Sequence, residues 1–314
     1  MTLVHWDDIE GFDPRDGFAP LGGRWQRLAD AAGSVRLGTH RVRLEPEQMI
    51  TAVHQHTAEE EIFHVLGGSA TLWQDGSTCV VAAGDTIVHA PLGPAHTLIA
   101  GDTGLEVLIF GQRLVPEATV LPRIGVAWLA DSTVKLLEDR PWKAEAALGV
   151  PDGTPGERPA NVAALDGLES FFGGMAKRPG QAAGAKQSGL NWTKIPPNDE
   201  GAPPHCHSAD EEVFVILDGE GALELWGPPQ PGDTRQTTPQ ETHPLRRGHV
   251  ISRPPATRIS HSLRSGDAGL TYLVYGTREP NDMCYYPRSN KVFLRGLGVI
   301  ARLEHLEYGD GEPG

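Results

Sequence analysis

At 314 residues the chain exceeds one small domain and suits two compact units of about 150 residues each. Its 41 acidic against 27 basic side chains give a formal net charge of -14, which would repel a phosphate backbone and sets nucleic acid aside as a partner. The opening residues carry no basic patch followed by an apolar run, and no stretch of about 18 apolar residues occurs, so a soluble, cytoplasmic protein with no membrane partner is expected.

The three cysteines, Cys79, Cys206 and Cys284, are odd in number and widely spaced, which fits reduced thiols rather than a disulfide framework or a zinc cluster. With 38 Gly, 26 Pro and 6% aromatic residues, the chain predicts many turns between short segments and an all-β fold with few short helices.

Along the chain, the first recognisable pattern runs from Gly38 to Gly68 and holds His54, His56 and Glu61. In an extended strand alternate side chains share a face, so His54 and His56 stand together about 7 Å apart while Gln55 turns away. Glu61 opens the segment Glu61 to Leu66, rich in β-formers and stopped by Gly67-Gly68, and shares a face with Phe63 and Val65. Parity makes Glu61 rather than Glu60 the partner of the histidines and puts His64 on the other face. His96 follows Gly84 to Pro94 on a later strand.

Asp131 to Lys186 is a connection with Pro-Gly punctuation and no ligand pattern, in which Val162 to Phe172 reads as a short helix or linker. The pattern then repeats: Gly189 to Gly219 matches Gly38 to Gly68 without a gap, placing His205, His207 and Glu212 on His54, His56 and Glu61. His261 matches His96 after an expansion in Gly227 to Leu245, read as an enlarged surface loop. Cys206, between His205 and His207, faces away. Two domains, 1–155 and 156–314, are expected.

His-x-His, a Glu four or five residues on, Gly seven beyond it, and a later His after Gly and Pro resemble the cupin superfamily, and the duplication resembles a bicupin. The leading Gly of the first motif is replaced by Gln48 and Asp199, and the second motif is matched loosely. The resemblance implies two tandem cupin-type β-barrels of the jelly-roll or double-stranded β-helix kind. It implies a divalent metal held by His54, His56, Glu61 and His96 and another by His205, His207, Glu212 and His261, two per chain. Three imidazoles and a carboxylate favour Fe²⁺ or Mn²⁺, with Ni²⁺, Co²⁺ or Zn²⁺ also suited.

Among bicupins the implied chemistries are Fe²⁺-dependent dioxygenation and Mn²⁺-dependent decarboxylation of small dicarboxylates. Decarboxylation needs a proton donor, and no loop Glu stands out as one. The sequence therefore favours a dioxygenase-like oxidoreductase acting on a small acidic or phenolic substrate. A metal-dependent decarboxylase or isomerase of a small carboxylic acid is the alternative, and a non-catalytic metal- or small-molecule-binding cupin a third reading. Arg258, just before His261, is the candidate anchor for a substrate carboxylate. No catalytic residue is assigned, and a homo-oligomer is left open. Trp73, Trp192 and Trp226 read as core or rim packing, and His5, His40, His243 and His305 as exposed residues.

Overall fold

The structure is a computed structural model that describes residues 3–129, 132–133, 141–228, 235–304, 306 and 309–311. It is all-β, two tandem barrels with only short helices, of which Pro141–Leu148 is the longest described. In the first half the long strands Glu61–Gln74 and His96–Gln112 pair at the centre of an eight-stranded sheet. A four-stranded sheet carries Gln55–His56 and Ala118–Leu121. In the second half Glu212–Trp226 and Ser260–Thr277 take the central place, and Cys206–His207 pairs with Met283–Tyr286.

The period of two decides what each central strand buries. Phe63 and Val65 enter the core of the first barrel, whereas Ile62 on the opposite face joins a cluster with Val213, Leu273 and Tyr275 of the second half. Phe214 and Ile216 line the second barrel, and Val213 and Val215 face the first. Each central sheet is thus apolar on both sides, one for its own barrel and one for its partner. A strand of 14 residues must bend to close a barrel, and the register shifts around Gly67 and Gly68 supply the bend. Gly68 has φ +73°, and a Cβ there would lie 2.1 Å from the Gly104 carbonyl oxygen, so only glycine fits.

The halves also exchange strands. Leu3–His5 pairs with His249–Arg253 of the second barrel, while Val162–Ala164 pairs with Asp85–His89 of the first. Val162 to Phe172, expected as a helix or plain linker, therefore begins as a strand, because it completes an open sheet edge; a short 3-10 turn, Leu165–Gly167, follows it. The Gly227 to Leu245 expansion likewise ends in a strand, Glu241–Arg246, paired with Glu220 to Leu225.

His5 is buried rather than exposed, since its strand lies on the second barrel and its Nε2 contacts the Arg247 carbonyl at 2.7 Å. His40 and His243 are half-buried, and His305 lies outside the described residues. Trp226 is buried and donates to Ser262 Oγ, whereas Trp73 and Trp192 are half-buried. Among the described residues no helix is long and apolar enough to cross a membrane.

Candidate metal centres

In the first barrel the strand ends bring His54, His56, Glu61 and His96 together. Glu61 Oε2 lies 3.5 Å from His54 Nε2, 3.8 Å from His56 Nε2 and 3.1 Å from His96 Nε2. The far nitrogens are held by acceptors: His54 Nδ1 by the Ala52 carbonyl at 2.9 Å, His96 Nδ1 by the Pro94 carbonyl at 3.1 Å, and His56 Nδ1 by Glu117 Oε1 at 3.2 Å. An Nδ1 facing an acceptor carries the proton, which leaves the Nε2 lone pairs aimed at one point, as metal coordination requires. His56 Nε2 is buried and has no hydrogen-bond partner, the signature of a place made for an ion. Burial alone would raise the Glu61 carboxyl, but the surrounding imidazoles of His54, His96 and His56 hold it well below the usual carboxylate range.

The second barrel repeats the arrangement with two changes. Glu212 Oε2 lies 3.8, 3.5 and 3.2 Å from the Nε2 atoms of His205, His207 and His261, and Glu212 Oε2 and His261 Nε2 are buried without a hydrogen-bond partner. His205 Nδ1 meets the Pro203 carbonyl at 2.8 Å and His207 Nδ1 meets Asp282 Oδ2 at 2.7 Å. At His261, however, the Nδ1 partner is Arg253, whose Nε donates to it across 3.3 Å. The first change follows. Arginine can only donate, so Nδ1 accepts and Nε2 carries the proton. The matching place in the first barrel, opposite the candidate ligand Glu in the sheet, is filled by His89, stacked 3.4 Å from His96.

The second change is Cys284, opposite His207 where the first barrel has Thr119 opposite His56. Its buried thiol sits within metal-binding reach of His205 and His207, and burial pushes it up to about 12. Cys206, paired with Tyr285 in the sheet, joins no such group among the described residues.

Neither Glu60 nor Glu211 joins a cluster. Glu60 accepts from the Lys186, Gln187 and Ser188 amides, and Glu211 from those of Val35 and Arg36. Each neighbour of a candidate ligand thus ties its barrel to the other half. Arg258 is exposed, with φ +59°, on the loop before His261. The cavity at His207 and Glu212, about 290 Å³, is lined by Arg278 and Arg295 but not by Arg258.

The cavity beside the first cluster is larger, about 510 Å³. His54, His56, Glu59 and Glu61 line it, with Arg15 and Trp25 from the amino-terminal segment and Trp142 from the Pro141–Leu148 helix. Glu59 Oε1 accepts from the Leu114 amide at 3.1 Å, and burial pushes its carboxyl up to about 7. Sequence reasoning missed Glu59 because it lies outside the cupin-like motif, although the repeat sets it on another carboxyl, Asp210, which lines the second cavity. It missed Arg15 because nothing local marks a loop arginine.

Residues 40–110 match the family model described as Cupin domain. No curated protein matches the sequence. Among solved structures, an oxalate decarboxylase of Bacillus subtilis studied for its Mn(II) centres is similar over 90% of this chain and 78% of its own, with TM-score 0.58 and 16% identity. The formate complex of an oxalate decarboxylase from Lactobacillus farciminis is similar over 88% of this chain and 86% of its own, with TM-score 0.58 and 14% identity.

Proposed function

We propose that this chain, whose fold is that of a tandem cupin, is a metal-dependent enzyme that decarboxylates an organic acid in its first barrel. The observation that carries the reading is the cavity at His54, His56 and Glu61, bordered by a carboxyl raised to about 7 on Glu59. Decarboxylation leaves a carbanion that must take up a proton, and a carboxyl that keeps part of its proton at neutral pH on the border of the substrate space can deliver it. The likeness to Mn(II)-containing oxalate decarboxylases supports the same choice over the dioxygenase favoured by sequence alone.

His54, His56, Glu61 and His96 would hold the ion, which when bound supplies Lewis-acid stabilisation of charge on a carboxylate oxygen. His56 is oriented by Glu117, which is itself fixed by the Thr57, Ala58 and Glu59 amides at 3.0, 2.7 and 2.9 Å. The same turn that sets the ligand therefore sets the Glu59 backbone.

The test is CO₂ release and O₂ uptake by Mn²⁺-loaded protein across a panel of carboxylic acids and phenols. CO₂ without net O₂ uptake is expected, abolished in His54→Ala/His56→Ala and retained in His205→Ala/His207→Ala. Net O₂ consumption with a ring-opened product would return the reading to a dioxygenase. In Glu59→Gln, kcat is expected to fall by roughly a hundredfold with metal content unchanged, since positioned general acids contribute about 10² to 10⁴.

A further inference from the structure

Arg15 is the least satisfied charge of the first cavity. It is buried, and its Nε and Nη1 have no hydrogen-bond partner. Its guanidinium lies between two indoles, with Cζ 4.7 Å from the Trp25 ring and 4.9 Å from the Trp142 ring. Packing against two rings restrains the guanidinium, and Arg15, Trp25 and Trp142 all line the cavity. Trp25 adds a second orphan, since its buried Nε1 also lacks a partner.

Buried donors without acceptors are costly, and a buried unpaired guanidinium especially so. Burial lowers Arg15 to about 10, against the raising effects of Asp13 and Glu61, so it remains a cation at neutral pH. Other arginines lining the cavity are engaged elsewhere: Arg113 pairs with Asp30, and Arg27 is exposed and stacks on Phe12.

We propose that Arg15 and Trp25 form a carboxylate subsite in the first barrel, and that the acid it takes is aromatic or of similar apolar bulk rather than a two-carbon diacid. This deepens the reading above, because the acid bound at Arg15 is the one presented to the His54, His56, Glu61 and His96 cluster. A buried cation and an unpartnered indole N–H in the wall of one cavity suit an anion with several lone pairs. The size follows from the walls. A cavity of about 510 Å³ bounded by Trp128, Trp142, Ile109 and Leu121 lies within the range of roughly 300 to 1,000 Å³ that suits drug-sized ligands with apolar bodies. A two-carbon diacid would leave those faces uncovered.

Calorimetric binding of 2-naphthoate, its neutral carboxamide and oxalate, to both Mn²⁺-loaded and metal-depleted protein, tests the assignment. In both forms 2-naphthoate should bind roughly ten- to a hundredfold more tightly than the carboxamide, the span expected of charge-assisted hydrogen bonds. In metal-depleted protein oxalate should bind more weakly than naphthoate. Arg15→Met, which keeps a stem between the two indoles, should erase the preference for acid over amide. Trp25→Phe, which removes the indole N–H and keeps a ring, should reduce it. Equal binding of acid and amide, a preference that survives in Arg15→Met, or oxalate as the tighter ligand of metal-depleted protein would overturn the proposal. Since the preference is read without turnover, loss of CO₂ release with the preference intact counts against the enzyme reading alone.

Discussion

Glu60 and Glu61 are neighbours that serve different ends: one is buried under amides of the other half, the other under three imidazoles. Strand parity makes that split legible in the sequence alone, and it recurs at Glu211 and Glu212. What parity could not reveal is the difference between the two clusters, because Arg253 and His89 carry no motif. With Arg253 donating to Nδ1, His261 must give up its Nε2 proton and that bond before it can coordinate. We therefore expect the second barrel to surrender metal to a chelator about tenfold faster than the first, the scale of outer-shell effects, and Arg253→Met to narrow the gap. Equal loss from both barrels would contradict this.

His64 sits on the face away from Glu61, buried against Thr86 Oγ1 at 2.8 Å, and burial lowers it to about 4. Between roughly pH 6.5 and 4 the unfolded chain binds the proton and the folded chain does not, so stability falls as pH drops through that window, by on the order of 2 to 3 kcal/mol for this residue. His64→Gln should flatten the acid limb in a urea series; an unchanged limb would assign the acid sensitivity to other groups.

Among the elements, the central strands were legible from their alternation and glycine stops, and the exchanged ones were not. Leu3–His5 and Val162–Ala164 are three residues each, too short for a period to register, and are defined only by the edges they cover. Removing residues 1–5 should speed amide exchange in His249–Arg253, its partner in the opposite half, before Asp85–His89. Faster exchange confined to the first barrel would show the pairing to be wrong. The Pro141–Leu148 helix was likewise invisible as part of a site. It brings Trp142 to Arg15 and Glu145 to Arg123, the latter pair at 2.9 Å, so the connection between repeats walls the first cavity. Trp142→Ala should weaken binding of an aromatic acid more than that of oxalate, because the indole supplies area rather than charge.

For the whole molecule, duplication predicted two similar barrels, and similarity hides how far they are interleaved. Residues 1–155 made alone would lack Val162–Ala164 and would expose Ile62, Leu108 and Phe110, which pack against Val213, Leu273 and Tyr275. That fragment should bind a hydrophobic dye and aggregate, and co-expression with 156–314 should restore a compact complex. A monomeric, cooperatively melting fragment would show that each barrel stands alone. The most direct test of the central claim, a divalent ion in the first barrel, is anomalous diffraction from crystals of Mn²⁺-loaded protein. A peak should lie among His54 Nε2, His56 Nε2, His96 Nε2 and the Glu61 carboxylate; no peak there, with metal only among His205, His207, Glu212 and His261, would contradict it.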